Sequence, residues 1–80
     1  MTVDARAWLD RFATLLGAEP PTDDQIEALL ALAGVAAHAS ERTAAPLSCW
    51  LAAIGGVAPA DALVHAKQLA DQLAGTDSAN

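Results

Sequence analysis

Between Pro20 and Gln25 the chain has one good option, which is to begin a helix. Two successive prolines fix their own φ and lack backbone N–H groups, so no helix runs through them. Thr22-Asp23-Asp24-Gln25 then has the form of a capping box. The threonine and glutamine side chains each satisfy a backbone amide that the first turn leaves open, and the two aspartates sit at the positive end of the helix dipole. From Ile26 the helix continues through Leu29, Leu30, Leu32, Val35 and Ala37 to about Ser40, and its middle is apolar on every side. A helix of that kind is normally enclosed by neighbours, so the rest of the chain has to supply them.

Three further segments have the spacing to do so. In the first, from about Asp4 to Leu16, Trp8, Leu9, Phe12, Leu15 and Leu16 recur on one helical face, with Arg6 and Asp10 opposite. Gly17 is placed to stop it as a left-handed cap. In the third, Pro46 suits a first turn, Leu47, Trp50, Leu51 and Ile54 share a face, and Gly55-Gly56 ends the helix. Pro59 opens the fourth, whose inner stripe is Leu63, Ala66, Leu69, Ala70 and Leu73, opposite Asp61, Lys67, Gln68, Asp71 and Gln72. Gly75 is expected to close it, leaving residues 76–80 as a disordered polar tail.

No segment alternates with the two-residue period of a strand. The expected fold is therefore all-α, a compact four-helix bundle-like single domain over residues 1–75. Alanine buries little area, so Trp8, Phe12, Leu29, Leu30, Leu47, Trp50, Leu51, Leu63 and Leu69 are expected to form most of the core. Eighty residues lie near the size at which one core gives only a few kcal/mol of net stability. The second and third helices either pair centrally or leave a face for another chain.

Ten acidic residues against four basic ones give a formal charge of −6, a field that repels a phosphate backbone. Nucleic acid is not expected as a partner, because the four cations form no patch and no aromatic platform accompanies them. The longest runs free of charge, Ala28 to Ala37 and Cys49 to Ala60, are too short to span a bilayer, and no membrane association is expected. Met1-Thr2-Val3-Asp4 shows no basic region leading into an apolar run, so no export signal is expected. The single Cys49 forms no internal disulfide, and a reducing cytoplasm is the expected compartment.

Reactive groups concentrate in one stretch, His38-Ala39-Ser40-Glu41-Arg42-Thr43 and on through Ser48-Cys49-Trp50. His38 and Arg42 lie one turn apart near a helix end, where cations oppose the negative end of the dipole. Alternatively this end and the following loop bind an anion or a partner, with Arg42 as bidentate donor, Ser40, Thr43 and Ser48 as neutral donors, His38 and Glu41 beside them and Trp50 as a wall. His38, Glu41, Cys49 and His65 lack the close, repeated spacing of a zinc site, so no metal is expected. Cys49 reads as a small hydrophobe. Gly55-Gly56 lacks the lysine and preceding strand of a phosphate loop, and Asp23-Asp24 are explained as helix-start charges. The residues call for no cofactor, and the chain is not expected to be an enzyme.

The Trp-Leu amphipathic first helix, the capped second helix ending Ala-His-Ala-Ser-Glu-Arg, and the following Thr-Ala-Ala-Pro-Leu-Ser-Cys-Trp-Leu together resemble a small actinobacterial helical domain family. That family occurs beside, or fused to the carboxyl end of, molybdenum-cofactor guanylyltransferases. The resemblance covers roughly Ala7 to Ala74 and is most specific from His38 through Leu51. It implies a non-catalytic accessory module in molybdenum-cofactor maturation or in assembly of a molybdoenzyme such as formate dehydrogenase. The partner would be a cofactor-biosynthetic enzyme or a molybdoenzyme subunit, because this chain carries no nucleotide-transferase domain. Two alternatives stay open: a carrier of a pterin or nucleotide phosphate, and a self-associating structural dimer or other homo-oligomer.

Overall fold

The fold, seen in a computed structural model that describes residues 3–79 and side chains as far as Gly75, is all-α. Four helices follow one another: α1 (Ala5–Leu16), α2 (Asp23–Ala39), α3 (Ala44–Ile54) and α4 (Pro59–Ala79). There is no strand among the described residues.

Local chemistry sets almost every boundary. The Asp4 carboxylate accepts the Ala7 N–H at 2.8 Å and starts α1. Gly17, at φ 69°, stops it, and the N–H groups of Gly17 and Ala18 turn back onto the carbonyls of Thr14 and Ala13 at 3.2 and 2.9 Å. Both halves of the expected capping box are formed at α2. Gln25 N–H reaches the Thr22 hydroxyl at 3.1 Å, and Thr22 N–H reaches the Gln25 side-chain oxygen at 2.8 Å. Gly56, also at φ 69°, closes α3, with Val57 N–H returning to the Ala52 carbonyl at 3.0 Å. Gly75 does not act as a stop. Its φ is not positive, so it forms no left-handed cap, and α4 runs on to Ala79 where a polar tail was expected. Asn80 lies outside the described residues.

The apolar α2 is the hub, with both α3 and α4 packed along it. What α3 and α4 turn toward it is mostly small: Ala44, Ala45, Ser48, Cys49 and Ala52 from α3, and Pro59, Ala62, Leu63, Ala66 and Ala70 from α4 are the shielded positions. Helix axes approach closely where the contacting side chains are small, and that is how these two helices seat. Among the described residues, only Ala13, Leu32 and Ala62 are buried, at 7%, 4% and 8% exposed.

The expected core is corrected accordingly. Leu47, Trp50, Leu51 and Ile54 do share a face of α3, but it is the outward one, and each is between 60% and 63% exposed. Trp8, Phe12, Leu30 and Leu69 are also exposed. Of the large side chains expected inside, only Leu29 and Leu63 are even partly shielded.

The first helix stands apart. It packs along none of the other three over a comparable length. It is fixed at the start of α2 by Arg6, whose guanidinium pairs with the Asp23 carboxylate and donates to the Pro21 carbonyl at 3.3 Å. The molecule is accordingly drawn out, 50 × 29 × 18 Å with a radius of gyration of 14.6 Å, against about 11.6 Å for a closely packed chain of this length.

Candidate functional site

The polar stretch between α2 and α3 folds into a tight turn. Ser40 N–H still bonds to the Ala36 carbonyl at 3.0 Å, after which the Ala44 and Ala45 N–H groups fold back onto the carbonyls of Glu41 and Arg42 at 2.9 and 3.1 Å. Pro46 has no N–H to give. The first three backbone positions of α3 therefore offer no free donor to an anion, although a helix start is ordinarily a place where one binds.

The seven side chains singled out in the sequence do not converge. His38, in the last turn of α2, lines a broad cleft between α2 and α4 together with Lys67 and Asp71. Ser40 and Ser48 line a mainly apolar furrow with Ala36, Ala44 and Leu69 that adjoins this cleft and shares Val35, Ala39, Ala70 and Leu73 with it. Glu41, Arg42 and Thr43 are exposed on the turn itself, where the Thr43 hydroxyl donates to the Glu41 carboxylate at 3.4 Å. Trp50 points outward from α3. The Thr43 hydroxyl bonds to Glu41, and the furrow shared by the two serines adjoins the cleft of His38.

Cys49 is part-buried against α2, its thiol directed at the Leu29 carbonyl at 3.9 Å. His65 Nδ1 lies 3.4 Å from the Gln68 side-chain oxygen one turn on. Among the described residues, no three His, Cys, Asp or Glu side chains gather as metal ligands.

What the structure does assemble is apolar surface. On α3 the outward face of Leu47, Trp50, Leu51 and Ile54 carries no charge, and the turn bearing Arg42 leads straight into it. On α1, Trp8 and Phe12 stack with ring centroids 6.2 Å apart and share a shallow cleft with Val3, Arg11 and Leu15. A third element is the groove of about 340 Å³ between α3 and α4, with Leu32 at its floor and Leu51, Ala62, His65 and Leu69 among its walls. The sequence placed Leu47, Trp50, Leu51 and Ile54 on one face, with Leu47, Trp50 and Leu51 expected inside, and marked Trp50 also as a wall of the site. The signal that separates the two faces of α3 is size, since the small residues at 44, 45, 48, 49 and 52 occupy the opposite side.

No helix among the described residues is long and apolar enough to cross a membrane. Neither a curated protein nor a solved structure matches the chain. The sequence profile of a domain of unknown function, DUF6457, matches residues 2–79, and the chain belongs to that family.

Proposed function

We propose that this domain is a non-catalytic docking module that binds another protein through the outward face of α3. One observation carries the reading: α3 packs its small side chains inward and holds Leu47, Trp50 and Ile54 in water, each at least 60% exposed. Leaving large apolar groups in contact with solvent forgoes about 1.5–3 kcal/mol for each, and contiguous exposed patches of this sort mark interaction sites. Tryptophan and arginine are the residue types most enriched where binding energy concentrates. Trp50 at the centre of the face and Arg42 at its head suit those roles.

The resemblance of the His38–Leu51 stretch supplies the partner within this proposal: a molybdenum-cofactor biosynthetic enzyme or a molybdoenzyme subunit such as one of formate dehydrogenase, met in the cytoplasm. The carrier alternative draws less support, because the turn's backbone amides are already bonded and Arg42 and Thr43 lie outside the two adjoining furrows that hold His38, Ser40 and Ser48.

Titration calorimetry of the purified domain against a purified cofactor guanylyltransferase or formate dehydrogenase subunit tests the proposal. Trp50→Ala should weaken association at least about tenfold, as loss of a central anchor does, with helical content unchanged. No association, or equal affinity for the variant, overturns it. A thermal shift with guanine nucleotides would favour the carrier.

A further inference from the structure

A second surface asks for a different occupant. The stripe formed by Trp8, Phe12 and Leu15 runs down one side of α1, and the cleft it lines contains no residue of α2, α3 or α4. The side of α1 turned toward its own chain is a different one, marked by Ala13, the single buried residue of that helix. Both Trp8, at 61%, and Leu15, at 84%, are left in solvent. Meanwhile the groove between α3 and α4 is open, chiefly apolar and floored by Leu32. An amphipathic helix laid into an apolar groove is a recurrent mode of recognition. The lengths agree as well, since α1 and α3 have 12 and 11 residues, each about 17 Å long.

We infer that two copies of this chain form a reciprocal dimer in which the Trp8-Phe12-Leu15 stripe of each α1 fills the α3–α4 groove of the other. The surface area argues for a second copy. The chain exposes 6235 Å², whereas a compact monomer of its mass exposes about 4,500 Å². Even half of the difference matches the roughly 800 Å² that each partner contributes to a stable interface. Charge agrees. Asp4 and Asp10 balance Arg6 and Arg11 on the α1 segment, so the net −6 resides in the rest of the chain. Arg11, beside the stripe, would meet the α4 segment that carries Asp61, next to the groove residue Ala62, while Lys67 and Asp71 line the α2–α4 cleft instead. Pairing α1 with α1 would instead set Arg11 against its own copy. The Arg6 tie and the two prolines hold the helix clear of its own groove and so present it for exchange. The outward side of α3 at Trp50 and Ile54 stays free for another protein.

Sedimentation of the full chain, with two variants at exposed positions, tests this. The unaltered chain should be a dimer at about 50 µM, with a melting temperature that rises with concentration. Trp8→Glu, on the stripe, and Leu51→Glu, on the groove wall, should each give monomers. Mixing the two should restore a dimer, because one contact in the mixed pair has both of its surfaces intact. Trp50→Ala should leave the dimer unchanged, which separates this result from the docking proposal. The inference is overturned if the unaltered chain is monomeric, if either variant still dimerises, or if the mixture stays monomeric while both variants remain helical.

Discussion

The helix with the clearest apolar stripe is the least packed, and the helix with no stripe is the centre of the molecule. In α1 the stripe is sharply one-sided, yet Trp8, Phe12, Leu15 and Leu16 all remain exposed. In α2 apolar residues lie on every side, and both α3 and α4 seat on it. A stripe says that a helix has a side to bury but not that its own chain will bury it. A helix without a polar side is under stronger constraint, because no orientation of it suits water.

The contrast is broken or sharpened most strongly by substituting its two extremes. Leu32, on α2, at 4% exposed is the most deeply buried side chain among the described residues, and Leu32→Ala should cost about 2–5 kcal/mol through lost transfer energy and the cavity left behind. In so small a domain that approaches the whole net stability. Phe12→Ala removes a bigger side chain from α1 but should cost less, about 1 kcal/mol, where the chain is monomeric, because the residue is 46% exposed and its ring packs chiefly on the exposed Trp8. Urea unfolding of dilute samples compares them, and equal losses would mean that α1 is packed as tightly as α2.

A smaller effect should follow from filling the alanine contact. Ala62 is buried where α4 meets α2, and Ala62→Leu forces the helices apart at a cost of about 1–3 kcal/mol. Ala60→Leu, two positions back on the exposed side, should change little. If both variants melt alike by calorimetry, small residues are not what seats α4.

These alanine contacts also explain what could be read in advance. Although Gly75 does not end α4, the start of α2 and the stop of α1 were legible because they depend on groups a few residues apart, Thr22 with Gln25 and Gly17 with Thr14. Which side of α3 faces inward was not. Both its sides are apolar, and ranking by hydrophobic area put Trp50 inside, whereas close approach of the axes favours Ala45, Ser48 and Ala52. The direction of α1 depends on Arg6 reaching Pro21 and Asp23 across the linker, and no periodicity carries that information. Within the polar stretch, residue types were legible as reactive. Their separation was not, because it follows from which side of α2 each helix occupies.

Next in size is the cap. Thr22→Ala removes the hydroxyl that accepts Gln25 N–H and should cost about 1 kcal/mol. Thr14→Ala loses only a hydroxyl bond to the Asp10 carbonyl within α1 and should be nearly neutral, again by urea midpoint. A larger loss at Thr14 than at Thr22 would contradict the view that the α2 start organises the domain.

The smallest effect on stability should come from the tie between the two regions. The Arg6 and Asp23 side chains are 46% and 87% exposed, and a pair so open to water is worth about 0.2–1 kcal/mol. A double-mutant cycle with Arg6→Ala and Asp23→Ala isolates that coupling, and salt should weaken it. Its structural consequence should be larger than its energy, because Arg6 also holds the Pro21 carbonyl and the rest of α1 has little else to fix its direction. Small-angle scattering of dilute Arg6→Ala should show a changed radius of gyration at nearly unchanged unfolding free energy. An unaltered scattering profile would place the orientation of α1 in the proline linker rather than in the ion pair.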